Sequence, residues 1–149
     1  MEGKCVSDFL KDWFKWFEKG INVLDDTSKE KFFSQCSANC MKRGALQSSQ
    51  ELFTEAGNDL DTFFEKASEK GYANGYIIES EKVYELAFSH CTCELVKQEY
   101  IESDFICECS RQGIIHVMKA LKPELNIEVE KRWTILGGAD ECRFRIKIN

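Results

Sequence analysis

The segment His90-Cys91-Thr92-Cys93-Glu94-Leu95, followed by Ile106-Cys107-Glu108-Cys109-Ser110, decides how this chain is read. Its thiol and apolar side chains fall at alternate positions, the period of a half-buried strand. Read in this way, strands cover about residues 90–97 and 105–109, and the polar residues 98–104 join them as an antiparallel hairpin. One register sets Cys91 opposite Cys109 and Cys93 opposite Cys107; a slip of two sets Cys93 opposite Cys109. In both registers the four sulfurs share one side of the sheet, while His90, Glu94 and Glu108 point to the other.

Outward from this hairpin, residues 83–88 (Val-Tyr-Glu-Leu-Ala-Phe) form a further strand. Downstream, Ser110 is an N-cap for a helix bearing Ile114, Ile115, Met118 and Leu121, which Pro123 ends. A closing hairpin follows. Ile127, Val129, Trp133 and Ile135 alternate with polar residues, Gly137-Gly138-Ala139-Asp140 makes the turn, and Cys142, Phe144, Ile146 and Ile148 alternate with Arg143, Arg145 and Lys147. The cations of that last strand are read as a solvated face rather than an anion site.

Upstream the period is helical. Val6, Phe9, Leu10, Trp13, Phe14 and Phe17 share one face of a helix over about residues 6–19, widened by Trp16 and closed by Gly20. The excess width suits a dimer contact or the wall of an apolar pocket. Thr27 and Glu30 match a capping box for a second helix, running to about Arg43 with Gly44 as its stop. Phe32, Phe33, Cys36 and Cys40 lie on its expected inner side. Ser48 and Glu51 repeat the capping pattern before Gly57 interrupts it. Asn58, Asp59 and Asp61 offer caps for a helix that passes through Leu60, Phe63, Phe64 and Ala67 to Lys70 and stops at Gly71. Residues 72–75 read as a loop. Helices first and strands second, with no internal repeat, give one α+β domain over residues 1–149: an antiparallel sheet from the C-terminal half, covered on one face by helices.

With 149 residues, one core is the default. Twenty Lys and Arg against 26 Asp and Glu leave a net charge of -6, which disfavours a nucleic-acid partner. Charged residues break every apolar run of the first 20 positions, so no signal peptide or membrane span is expected there, and the chain reads as cytoplasmic. In a reducing compartment eight cysteines argue for free thiols, a metal site or redox chemistry over a disulfide framework. Cys5 and Cys142 fall outside the cluster and read as core. Cys36 and Cys40, four apart on a helix, are spaced for one metal. Together with Cys91, Cys93, Cys107 and Cys109 they form a candidate thiolate site for zinc or an iron–sulfur cluster. Cys-x-Cys on a strand separates its sulfurs by about 6 to 7 Å, so such a pair borders a cavity more readily than it chelates one ion. A sulfur-lined core and a redox or nucleophilic thiol remain open beside the metal. His90 points away from its neighbour Cys91, and His116 reads as a surface residue. There is no Ser-His-Asp order, phosphate-binding loop or His-Glu-x-x-His to mark an enzyme.

The closing Gly137-Gly138-Ala139-Asp140-Glu141-Cys142-Arg143-Phe144-Arg145-Ile146 is similar to the ending of the 4-vinyl reductase domain, where a Gly/Asp turn precedes a Cys-x-Phe strand. Before it, Cys36-x-x-x-Cys40, Cys91-x-Cys93-x-Leu95 and Cys107-x-Cys109-Ser110 resemble the small prokaryotic proteins called L-2-amino-thiazoline-4-carboxylic acid hydrolase-like. The resemblance covers roughly residues 27–148. It implies the α+β fold shared by vinyl reductase domains, heme-based nitric oxide sensors and transport-particle subunits that hold an acyl chain, with an apolar or cofactor ligand between helices and sheet and frequent dimerisation.

The expected function is therefore a small-molecule-binding α+β domain, for an apolar or heterocyclic ligand, with a metal-holding cysteine cluster. The alternatives are a thiol- or metal-dependent hydrolase of a small heterocycle such as an aminothiazoline carboxylate, and a structural protein that forms a homodimer.

Overall fold

The helical half is built from stripes and stops. The computed structural model describes the backbone of residues 2–71 and 73–149 and the side chains of 8–71 and 73–149; the reading of Cys5 as core lies outside the described side chains. Helix α1 (Glu2–Ile21) leads into α2 (Asp26–Met41), α3 (Ala45–Glu55) and α4 (Leu60–Lys70). Asp25, not Thr27, caps α2: its carboxylate accepts the Ser28 N–H at 2.7 Å. A carboxylate also complements the positive end of the helix dipole there. Glycine ends this helix by another route than expected, since α2 stops at Met41 and Gly44, at φ 142°, opens α3. Asp59 caps α4 through Thr62 N–H at 2.8 Å, and Gly71 closes it in the left-handed conformation.

The sheet has four antiparallel strands in the order β1-β2-β4-β3: β1 (Asn74–Glu79), β2 (Val83–Phe88), β3 (Ile127–Trp133) and β4 (Cys142–Ile148). The fold is α+β, as the order of helices and strands implied. Strand β1 corrects the end of the expected loop, because Asn74 begins a strand whose Gly75 packs directly on α4. Its backbone lies so close to the Phe64 carbonyl that a Cβ would collide with it. Tyr84, fully buried, stacks on Phe64 at 4.4 Å and donates to Asp61 at 2.6 Å, tying the hairpin to the start of α4. Strand β2 and the closing hairpin lie where the alternation put them.

The central hairpin does not exist. Residues 89–93 have no regular structure, Glu94–Lys97 is a short helix α5, Asp104–Ile106 is a 3-10 turn, and α6 runs Cys107–Leu121, three residues ahead of the expected Ser110 start. Cys107, Ile114, Met118 and Leu121, spaced by seven, four and three, form the inner stripe of one helix. A period-2 reading of Cys107 and Cys109 was thus beaten by a longer helical period extending upstream.

Trp133 is a further correction. A bulge between Lys131 and Trp133 breaks the alternation of β3, so Trp133 pairs with Arg143 and stands on the outer face of the sheet. The outer-face cations are not merely solvated: Glu85, 3% exposed, holds Arg143 at 2.9 Å and Arg145 at 2.7 Å, and Arg143 lies 4.5 Å from the Tyr76 ring. Those partners keep the Glu85 carboxyl below its usual range against the opposing effect of burial.

Because Gly75 meets backbone rather than a yielding side chain, Gly75→Ala is expected to destabilise the protein by about 1–3 kcal/mol, the overpacking range, in urea unfolding monitored by circular dichroism. An unchanged midpoint would show that α4 and β1 separate without cost.

Candidate functional site

Helices α3, α4 and α6 cover the inner face of the sheet but do not fill the space above it. A cavity of about 390 Å³ remains, with Leu52, Phe63, Ile114, Met118 and Phe144 among its walls. Sequence spacing explains most of the lining. Phe63 and Ala67 are an i, i+4 pair on α4, Ile114 and Met118 another on α6, and Cys142 and Phe144 are alternate inward positions of β4. Met41 and Gly113 line the side where α2 meets α6. At that crossing a Cβ on Gly113 would stand 3.0 Å from Ser37 Oγ and 3.1 Å from Met41 Cε, tighter than ordinary side-chain contact.

The polar part of the lining is small and comes from two places. The irregular segment 90–93 contributes His90, Cys91, Thr92 and Cys93, and the helices contribute the hydroxyls of Ser48, Ser49 and Ser110. Among the described residues the lining includes no Asp, Glu, Lys or Arg.

The predicted cysteine surface is rearranged. Four thiols line the cavity: Cys91, Cys93, Cys107 and Cys142. Cys142, expected outside the cluster, thus belongs to this lining. His90 also returns to the side of Cys91, because without a strand there is no alternation to turn it away. Cys36 and Cys40 are exposed, contrary to their expected inward position. The buried row of α2 is Phe33, Ser37 and the partly buried Met41, and residues 36 and 40 sit to one side of it, about 100° and 60° from its centre around the helix.

The thiols fall into two neighbourhoods. Cys107 feels the charges of Cys142 and Cys91, whereas Cys109 feels those of Cys40, Cys36 and Cys93. Burial pushes Cys107 up to about 12 despite a hydrogen bond with Thr134, and pushes Cys109 up to about 11 despite Ser37 beside it. Burial raises Cys142 as well, against the Ile135 N–H that donates to its sulfur at 3.3 Å. Held as neutral thiols, these groups behave as small apolar surface rather than as nucleophiles. Among the described residues no group of three or more His, Cys, Asp or Glu side chains is arranged to hold a metal ion.

The other expected site groups are employed structurally. Glu108 is bound by Arg111 and Gln112, with Arg111 also donating to the Val129 carbonyl at 3.0 Å, so α6 is clamped to β3. Glu94 accepts from Gln98 on α5 and has no cross-strand relation to Glu108. His116 is half-buried rather than on the surface; its Nε2 lies 3.0 Å from the Ser34 carbonyl, joining α6 to α2.

Compared with known proteins, the chain matches no family model and no curated protein. It is similar to the crystal structure of a trafficking protein particle complex subunit 3 from Naegleria fowleri covalently bound to palmitic acid, with a TM-score of 0.45 and 15% identity over 98% of this chain and 96% of that one. Among the described residues no helix is long and apolar enough to cross a membrane.

Two outcomes are expected of the thiols. In a time course with iodoacetamide at pH 8, read by peptide mass spectrometry, the exposed Cys36 and Cys40 react first and Cys107 and Cys109 lag by about tenfold or more. The raised Cys107 value also has a sign: its contribution to stability is complete below the ordinary value of 9.0 and is lost as pH rises toward about 12. Cys107→Ala should flatten that alkaline limb of the stability profile, and an unchanged limb would show that Cys107 is not buried as described.

Proposed function

We propose that this chain is a small-molecule-binding domain that holds a neutral, mainly apolar ligand between helices α3, α4 and α6 and the inner face of the sheet. The observation that carries the proposal is the cavity of about 390 Å³ whose lining, among the described residues, has thiols, hydroxyls and one imidazole but no Asp, Glu, Lys or Arg. Its size is within the range of small-ligand sites. Each methylene moved into such a space from water is worth about 0.8 kcal/mol, so a ligand of roughly ten carbons has several kcal/mol available from burial alone. The absence of a lining cation leaves a carboxylate without a partner, which favours a neutral ligand over a heterocyclic acid.

The polar groups at residues 90–93 and Ser110 give the ligand a direction. An apolar body lies against Leu52, Phe63, Ile114 and Phe144, and one hydrogen-bonding group reaches His90, Thr92 or Ser110. The cysteine side chains supply soft, polarisable wall.

The test is native mass spectrometry of protein purified without detergent, with Nile red uptake as a second readout. The wild-type chain is expected to carry a small organic mass that denaturation releases, or to take up Nile red saturably. Ser48→Trp puts an indole into the cavity from a partly exposed position of α3 and should abolish both signals while the circular dichroism spectrum is kept. Neither retained mass nor saturable uptake in the wild type, or equal uptake by Ser48→Trp, would overturn the proposal.

A further inference from the structure

Seven cysteines have described side chains, and all seven are free thiols. Four of them line the cavity, leaving Cys36, Cys40 and Cys109 outside it. These three meet where α2 packs on α6. Two contacts between the elements fix their places. The Phe33 ring lies 5.9 Å from that of Phe105, in the turn that leads into α6, and Ser37 Oγ lies at the Gly113 crossing. Cys109 stands midway between these anchors, four residues after Phe105 and four before Gly113. On α2, Cys36 and Cys40 follow Phe33 at i+3 and i+7, on the side that Phe33 turns toward Phe105. Ser37, wholly buried between them in sequence, lies beside Cys109. Of the thiols around Cys109, Cys40 acts on it most strongly, ahead of Cys36 and Cys93.

Backbone geometry selects the pair. Side chains one turn apart on a helix have Cβ atoms about 5–6 Å apart, whereas a disulfide needs about 3.5–4.5 Å. Cys36 and Cys40 therefore do not pair with each other while α2 stays helical. A disulfide between helices needs closely approaching backbones, and the crossing at Gly113 supplies that approach one turn from Cys109. Exposure then assigns the order of events: Cys40 is open to solvent and meets a dissolved oxidant first, while Cys109 is half-buried behind it.

We infer that Cys40 and Cys109 form a redox modification site, at which hydrogen peroxide joins α2 to α6 through a disulfide. The Cys40 sulfur attacks one peroxide oxygen and the O–O bond breaks, leaving a sulfenic acid and one water. The Cys109 sulfur then attacks the Cys40 sulfur; the S–S bond forms, the S–O bond breaks, and the departing hydroxide takes the Cys109 proton as a second water. The two thiols lose two electrons and the peroxide gains them. Burial makes Cys109 slow toward dissolved reagents, since at about 11 roughly one molecule in a thousand is thiolate at pH 8. A sulfenic acid held against it offsets this, because a partner fixed in place acts at an effective concentration far above that of any dissolved thiol.

The site is independent of the ligand proposal and is tested on the full chain. Reduced protein is treated with hydrogen peroxide near stoichiometry, alkylated, and mapped by tryptic peptide mass spectrometry without reduction. The expected product is a single chain in which peptides 32–42 and 98–111 are joined with loss of two hydrogens, Cys36 and Cys107 remaining alkylated. Dithiothreitol should reverse the link. Cys40→Ser, at an exposed position, should lower its yield about tenfold or more, whereas Cys36→Ser should leave it unchanged. The absence of a link would overturn the inference, as would a link that persists in Cys40→Ser, one that runs through Cys107, one that joins two chains, or Cys40 oxidised to the sulfinic acid with Cys109 still free.

Discussion

Helix α6 lies close against α2 at residue 113, which has no side chain. A Cβ there would stand about 3 Å from Ser37 Oγ and Met41 Cε, tighter than ordinary side-chain contact. On one side His116 bridges to Ser34; on the sheet side Arg111 reaches the Val129 carbonyl while held by Glu108. Helix α6 is thereby fixed to both α2 and β3. Its inner stripe of Ile114 and Met118 becomes the roof of a space that α3 and α4 wall in but do not fill. The cavity is a consequence of where these clamps stop the helix. A closer approach to the sheet would need them released, and interiors do not hold an unfilled space of that size without such constraint.

The chemistry of the lining follows from burial. Burial raises Cys107 and Cys142 against the opposing pull of Lys131 on the one and of the Ile135 N–H on the other, so two thiols that look reactive in sequence become uncharged wall. Charge is instead concentrated elsewhere: in the Glu85, Arg143 and Arg145 group on the outer face of the sheet and in the Arg111 clamp. The first pairs a nearly buried carboxylate with two guanidinium groups and the second a partly buried one with a single guanidinium, the condition under which a charge survives desolvation.

What was legible in the sequence was whatever a single period could carry. The α4 stripe between Asp59 and Gly71, strand β2, and the closing hairpin with Cys142 and Phe144 facing inward all follow from spacing and stop signals. The segment around Cys91 to Cys109 was not, because two short Cys-x-Cys units satisfy a strand period by chance while the longer stripe from Cys107 to Leu121 carries the helical one. Once the hairpin is removed, His90 and Cys91 return to one side, and Cys36 and Cys40 stand exposed near Cys109, apart from the neighbourhood of Cys91, Cys107 and Cys142. The bulge that moves Trp133 outward and the backbone contact that demands Gly75 are tertiary in origin and leave no local signal.

The central claim, an apolar ligand space roofed by α6, is tested most directly by methionine-methyl NMR. Two of the three methionines, Met41 and Met118, line the cavity. On titration with a neutral apolar compound small enough for the space, such as a medium-chain alcohol, the Met41 and Met118 methyl resonances should shift together and saturate. Saturable binding that leaves both of those methyls in place, or no binding at all, would contradict the account.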